Sequence, residues 1–387
     1  MDLRIAFYVC IALLVVLLCA GVSRRPKDSK EFFDRVSVKE IQGFLAVFII
    51  FHHILVIFEN KLVEPGAMLF FYFYGIIAVC FFFFCSGFGL IKRWMTDKNY
   101  IKHFMKRRIF TTLVPFFICN YIYLTDALIR NIHGNSHFGF DEVICSFFGV
   151  FLVNNQMWFA VEIMILYVVF RIVFAKIKKP LPGILIMTAT VLVMMVIGFF
   201  SGHSVTSVMS YWFKGEWWYN TIFMFPLGMF YAYKEEAINK IIRKGFWIIL
   251  ILSAALFYLL DLLHRSLILR SIYWTEQMNP AHHYFDKLTG LCEETLFEIV
   301  FLILVVTILS RVKIGNPVLK FLGKISLEVI MINYLMIEKL FFLYTRYGIG
   351  IYLAAVVAST ILAASVIYLI KNIVLERRAG LFDGKVT

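Results

Sequence analysis

An all-α bundle of transmembrane helices is the fold class this sequence predicts, and three features carry the prediction. Of the 387 residues, 61% are hydrophobic and 16% charged, against about 45–50% apolar and about 25% charged in soluble domains. Apolar runs of about 20 residues recur from one end of the chain to the other, a length that matches the roughly 30 Å hydrocarbon core of a bilayer at about 1.5 Å per residue. The Lys and Arg residues gather at the ends of these runs and not along one amphipathic face, so the net charge of +13 reads as topology. Membrane lipids are the expected surroundings, and nucleic acid is not an expected partner.

Taken in order, apolar runs bounded by charge fall near residues 4–22, 39–58, 68–91, 109–128, 157–175, 181–200, 218–233, 246–263, 295–310, 325–345 and 348–370, about eleven spans. The first run is followed directly by Arg24, Arg25 and Lys27 and lacks a clean small-x-small site, which reads as a retained anchor and not a cleaved signal. Residues 1–36 are therefore an extra N-terminal anchor helix with a basic linker, residues 37–372 a core of ten helices, and residues 373–387 a tail. The piece from Val143 to Val153 is too short to span and is expected to be re-entrant or interfacial.

Charge sorts the connections. Arg24 to Lys39, Lys92 to Arg108, Lys176 to Lys179, Lys234 to Lys244, Arg311 to Lys324 and the tail with Lys371, Arg377 and Arg378 are basic, and the alternate connections are not. The positive-inside rule then makes the basic set cytoplasmic, with the N-terminus outside, the C-terminus inside and the protein multi-pass in the cell membrane. No period of 20–50 residues and no linker divides the chain. Cys145 and Cys292 both fall near the outer face, where a disulfide is conceivable, although two free packed thiols are the preferred reading.

Ionisable residues inside spans are costly in lipid and are functional candidates by default. They are His52, His53, Asp126, Glu162, Glu298, Glu328, Glu338 and Lys339. Asp126, Glu338 and Lys339 also suit helix ends or pairing with neighbours. His53 lies deepest. Eleven steps of roughly 100° separate it from Gln42, so both face the same way, about 16 Å apart along the axis. His52 points about 100° away from His53, which argues for a packing or orienting role and against a metal site on the pair.

The run Lys39-Glu40-Ile41-Gln42-Gly43 leading to His52-His53 resembles the first core helix of the acyltransferase-3 family, in which Arg or Lys followed by Gly precedes a His. Here Gln42 takes the cationic position, with Lys39 one turn earlier on nearly the same face. Phe84-Cys85-Ser86-Gly87-Phe88-Gly89 is similar to the family's Phe-x-x-Ser-Gly-Phe signature, followed by Lys106-Arg107-Arg108 and Leu113-Val114-Pro115. Met157-Trp158-Phe159 with Tyr167 is similar to its Trp-Phe helix start. Leu322-Gly323-Lys324-Ile325-Ser326 is similar to its Leu-Gly-Lys-x-Ser stretch, after which members often carry His where Asn333 stands.

The resemblance implies transfer of an acyl group, commonly acetyl, from a cytoplasmic acyl-CoA to a hydroxyl of a surface or lipid-linked carbohydrate. Acyl-CoA would be a co-substrate, with no permanently bound cofactor and no metal. His53 would be the general base, since neutral imidazole suits proton abstraction near neutral pH. Gln42, Ser86, Glu162 and Asn333 would complete the catalytic surroundings, although Ser86 equally suits close helix approach. Lys39, Lys92, Arg93, Lys106, Arg107 and Arg108 would hold the CoA phosphates. His52, Trp158, Trp217, Trp218 and Glu328 would line the acceptor side. Trp212, Glu216, His264, Tyr273, Trp274, His282 and His283 join Trp217 and Trp218 in two outer loops, where aromatic residues suit either a sugar or the interfacial belt.

Two other classes stay open. Intramembrane charges also mark transporters or flippases of polar lipids or glycan precursors, although no inverted repeat is visible. Gln42 and Asn333 also leave room for a catalytically silent relative. The acceptor, the acyl chain, the oligomeric state and any soluble partner enzyme are not legible in the sequence.

Overall fold

The computed structural model describes residues 3–26, 29, 31–59, 71, 74–134, 139–200, 210–212, 217–269 and 284–383, and the structural statements below concern these. Helix α1 (Leu3–Cys19) is apolar all round, as a lipid-embedded helix should be. Its Phe7 packs on Phe51 and Phe71. The linker after it is tied down. Strand β1 (Ser23–Arg24) pairs antiparallel with Val312–Lys313, and Arg25 reaches the Leu309 carbonyl and the Asp34 carboxylate. Asp34 also accepts from the backbone N–H groups of Val36 and Ser37 at 3.0 Å each, capping helix α2 (Arg35–Glu59). Burial alone would lift the Asp34 carboxyl, yet the donors from Ser37 and Arg25 outweigh it and hold the group below its ordinary range.

Helix α3 (Gly75–Thr96) follows, then a π-helical turn (Met105–Ile109) leading into α4 (Phe110–Ile132). The turn widens the backbone just before Pro115, which cannot donate to the helix. The short stretch expected to be re-entrant forms α5 (Phe140–Phe147) and strand β2 (Phe151–Leu152). A 3₁₀ turn leads to α6 (Trp158–Lys176), α7 (Pro180–Phe200) and strand β3 (Ser210–Tyr211), the antiparallel partner of β2. The chain continues through α8 (Trp217–Thr221), α9 (Met224–Tyr233), α10 (Glu235–Lys244), α11 (Phe246–Leu269) and α12 (Tyr284–Leu309). Strand β4 (Val312–Lys313) precedes α13 (Pro317–Lys324), α14 (Ser326–Lys339), α15 (Phe341–Tyr347) and α16 (Ile349–Asp383).

This is an all-α polytopic membrane bundle. Seven of its helices are long and apolar enough to cross a bilayer unaided. The remaining expected spans are helical but differ in form. The 218–233 segment is split into α8 and α9, with Pro226 in the first turn of α9, where a missing N–H costs little. The 325–345 segment breaks between Lys339 and Phe341. The span from 295 is the lower part of the longer α12, whose upper part carries Glu293 and Glu294. Helix α16 runs on through residue 383, so part of the expected tail is helical. Cys145 and Cys292 are free thiols.

Two crossings set the frame, and each is pinned by a pair of glycines. A Cβ on Gly43 would lie 2.1 Å from the Leu319 carbonyl oxygen, and one on Gly323 would lie 1.8 Å from that of Lys39. These positions press α2 against α13. Likewise a Cβ on Gly87 would lie 1.9 Å from the Phe225 oxygen, and one on Gly228 would lie 2.1 Å from that of Phe84, pressing α3 against α9. Small residues allow this backbone approach where lipid gives helices little other reason to associate. Gly323→Ala and Gly87→Ala are each expected to cost about 1–3 kcal/mol through forced separation of the helices. Folded protein recovered in detergent and its melting temperature read the effect. Wild-type values would show that the crossings yield more easily than their backbone contacts imply.

Candidate active site

One end of the bundle opens into a cavity of about 800 Å³. Helix α2 turns Arg35, Val38, Lys39 and Gln42 into it, a spacing of three, one and three residues that forms one helical face. Helix α3 contributes Phe82, Cys85, Ser86, Gly89, Lys92 and Arg93. Phe159, Ile163 and Tyr167 of α6 form the opposite wall, and Arg108 of the π-turn closes one side with Tyr100. Along α3 the lining changes from cationic near Thr96 to apolar at Phe82, about 21 Å deeper. The result is a basic mouth over an apolar floor, within the size range of small-molecule sites.

The cations at the mouth are held in different ways. Lys92 bridges Glu31 and Glu235, both at 2.9 Å, and lies over the Phe88 ring. Arg93 is more exposed and stands 3.6 Å from Asp97. Arg108 donates from Nε to the Tyr100 hydroxyl at 2.9 Å, and Lys39 donates to the Gly323 carbonyl at 3.1 Å. Among the described residues neither Arg108 nor Lys39 has an acidic partner, so their charge is available to an anion. Gln42 is half-buried, and its Oε1 has no donor among the described residues. Ser86 donates to the Tyr167 hydroxyl at 2.9 Å, which makes it part of the wall.

His53 is not in the cavity lining. It shares the Gln42 face of α2, but the helix rise carries it about 16 Å further along, and the buried residues Ala46 and Ile49 fill the interval. Its Nδ1 lies 2.7 Å from Asn333 Oδ1. The Asn333 amide nitrogen donates to the Val329 and Ile330 carbonyls, both at 3.0 Å, so its oxygen is the atom that faces His53 and accepts. The proton therefore sits on His53 Nδ1, and Nε2 keeps its lone pair. His52 faces elsewhere, as the helical geometry predicts: its Nδ1 donates to the Phe71 carbonyl, and its ring lies against Gly75 at the start of α3.

The other expected residues are dispersed. Glu162 is fully buried off the cavity face of α6, and neither carboxyl oxygen meets a donor among the described residues. Glu328 accepts from Lys371 of α16 in a buried ion pair. Lys339 pairs with Asp126. Trp158 is buried against Phe83, and Trp218 against Trp212 and Tyr219, so neither is an exposed belt residue. The side chains of Lys106, Arg107 and Trp217 lie outside the described residues, as do Glu216, Tyr273, Trp274, His282 and His283. Sequence reasoning missed Tyr100 and Arg35, which carry no motif. It also missed the role of Lys371, although an acid inside a span is itself a signal that a cation stands nearby.

The acyltransferase-3 family, described as an acyltransferase domain, matches residues 37–369. No curated protein and no solved structure matches the chain.

Proposed function

The chain belongs to the acyltransferase-3 family, and we propose that it moves an acyl group, acetyl in our reading, from a cytoplasmic acyl-CoA to a hydroxyl of a surface or lipid-linked carbohydrate. The observation that carries this reading is the cavity, whose mouth holds Lys39 and Arg108 with no acidic partner among the described residues and whose floor is apolar. Such a site suits a ligand with phosphates at one end and a neutral thioester arm at the other. The basic connections make the cavity mouth cytoplasmic in this reading, where acyl-CoA is made, and put the N-terminus outside.

His53 serves as the base. Asn333 holds its Nδ1 proton, so Nε2 can take the proton of the acceptor hydroxyl as that oxygen attacks the thioester carbonyl. Collapse of the tetrahedral intermediate breaks the carbon–sulfur bond, and the imidazolium returns the proton to the departing CoA thiolate. Asn333 thus fills an orienting role where family members often carry His. Because Ala46 and Ile49 lie between the cavity and His53, the acyl end has to advance past them before transfer.

The test is the ester content of surface glycans with and without the gene, measured together with the amount of glycan exported. Loss of ester at unchanged export is expected. Unchanged ester with reduced glycan export would replace this reading by a transporter. In the same cells, a cysteine placed at Lys98 should resist labelling from outside and one at Asp141 should react. The opposite pattern would reverse the orientation.

A further inference from the structure

Tyr123 of α4 is 2% exposed and lies outside the cavity lining. Its hydroxyl donates to the Met331 carbonyl at 3.1 Å and accepts from the Leu335 backbone N–H at 2.9 Å. Those two groups are the two ends of a single i to i+4 step of α14. The hydroxyl therefore sits across one rung of the helix ladder. A second side chain draws on the same carbonyl: the Asn154 amide nitrogen, just ahead of the 3₁₀ turn that leads into α6, is 3.5 Å from the Met331 oxygen. A buried tyrosine needs one partner for its O–H, and any carbonyl would supply it. Taking the N–H of the same rung as well is the action of a wedge.

The rung brackets Asn333. That residue stands two positions from each end, about 200° of turn, so it projects from roughly the opposite side of α14. There its Oδ1 meets His53 Nδ1 at 2.7 Å. A side chain inserted into a helix ladder bends the helix, and the face with the longer bonds becomes the convex one. A wedge on the Tyr123 side therefore puts Asn333 on the inside of the bend, facing His53. Because the Asn333 amide nitrogen is anchored to the Val329 and Ile330 carbonyls of the preceding turn, its oxygen moves with that turn.

We propose that Tyr123 is a positioning residue for acyl transfer: its hydroxyl holds open one rung of α14 and so sets the Asn333 oxygen against the His53 imidazole. The inference rests on the acyltransferase reading above, in which His53 is the base. Tyr123 approaches α14 from the side away from His53 and acts through Asn333. A misplacement of about 1 Å in such a support can cost about 10²-fold in rate. Without the hydroxyl, Met331 and Leu335 close their rung directly, so no buried group is orphaned and the fold is kept.

The test is a double-mutant cycle of Tyr123→Phe and Asn333→Leu, each protein normalised to its folded amount in native membranes. Two quantities are read: binding of radiolabelled acetyl-CoA, and transfer of its acetyl group to the membranes' own glycan. Tyr123→Phe is expected to lower transfer about 10- to 100-fold and to leave acetyl-CoA binding within about twofold. Asn333→Leu retains the base, so its residual transfer stays measurable. Adding Tyr123→Phe to it is expected to change transfer by less than about twofold, since the group that Tyr123 positions is gone. A merely structural tyrosine would cost the same factor in both backgrounds, and that result would overturn the proposal. So would wild-type transfer in Tyr123→Phe, equal loss of binding and transfer, or absence of folded Tyr123→Phe protein, each of which leaves the acyltransferase reading intact. Absence of transfer in the wild type itself would defeat both readings together.

Discussion

His53→Ala is expected to lower acyl transfer by about 10²–10⁴-fold per folded molecule, the usual range for loss of a general base. The expectation rests on the arrangement at Asn333. Because the Asn333 amide nitrogen is occupied by two carbonyls of its own helix, its oxygen can only accept, and this fixes the imidazole tautomer with Nε2 as the free base. Asn333→Leu should therefore also impair transfer, through a misoriented ring. His52→Ala should be milder, since His52 bonds to a backbone carbonyl and packs on Gly75. Some folded protein will be lost in His53→Ala, because an Asn333 oxygen left without a donor costs about 1–3 kcal/mol. Activity is for that reason measured per folded molecule, by gel filtration in detergent followed by transfer from labelled acetyl-CoA. A His53→Ala protein with normal specific activity would make His53 a packing residue.

Much of this arrangement was legible from periodicity. Apolar length and charge placement identify the helices, and the shared face of Lys39 and Gln42 in the sequence is the face that lines the cavity. Lys92 and Arg93 of α3 and Arg108 of the π-turn line the same mouth. The glycine-bearing motifs also have a physical reason: Gly43, Gly87 and Gly323 stand where backbones touch. Depth was not legible. Angular position follows from 100° per residue, but whether a cavity extends 16 Å along a face depends on what the neighbouring helices insert, and here Ala46 and Ile49 close the interval. Partnerships across distant segments were equally hidden. Glu328 looks like a lining residue until Lys371 is placed beside it, because α16 is longer than its apolar run. The pairing of His264 with Glu293 likewise joins α11 to α12 across 29 residues, which no local pattern announces.

The cavity cations should differ sharply in their contribution to acyl-CoA binding. Arg108 is aligned by the Tyr100 hydroxyl at 2.9 Å and has no acidic partner among the described residues, so its guanidinium is held ready for a phosphate at little entropic cost. Removing such a charge from a desolvated ion contact costs about 2–5 kcal/mol, and the partly open mouth places Arg108→Met at the lower end, a loss of binding of roughly 30-fold. Arg93 provides the contrast. Its side chain is 57% exposed and its nearest carboxylate is 3.6 Å away, so solvent screening limits it to about 0.2–1 kcal/mol and Arg93→Met should weaken binding by less than about fivefold. Arg108→Lys should recover only part of the loss, since a point charge cannot reproduce two parallel N–H donors. Titration of acetyl-CoA against purified protein at two salt concentrations checks all three. Equal effects of Arg93→Met and Arg108→Met would show that the mouth acts only through its overall charge, and unaltered binding in Arg108→Met would remove the phosphate site from this cavity.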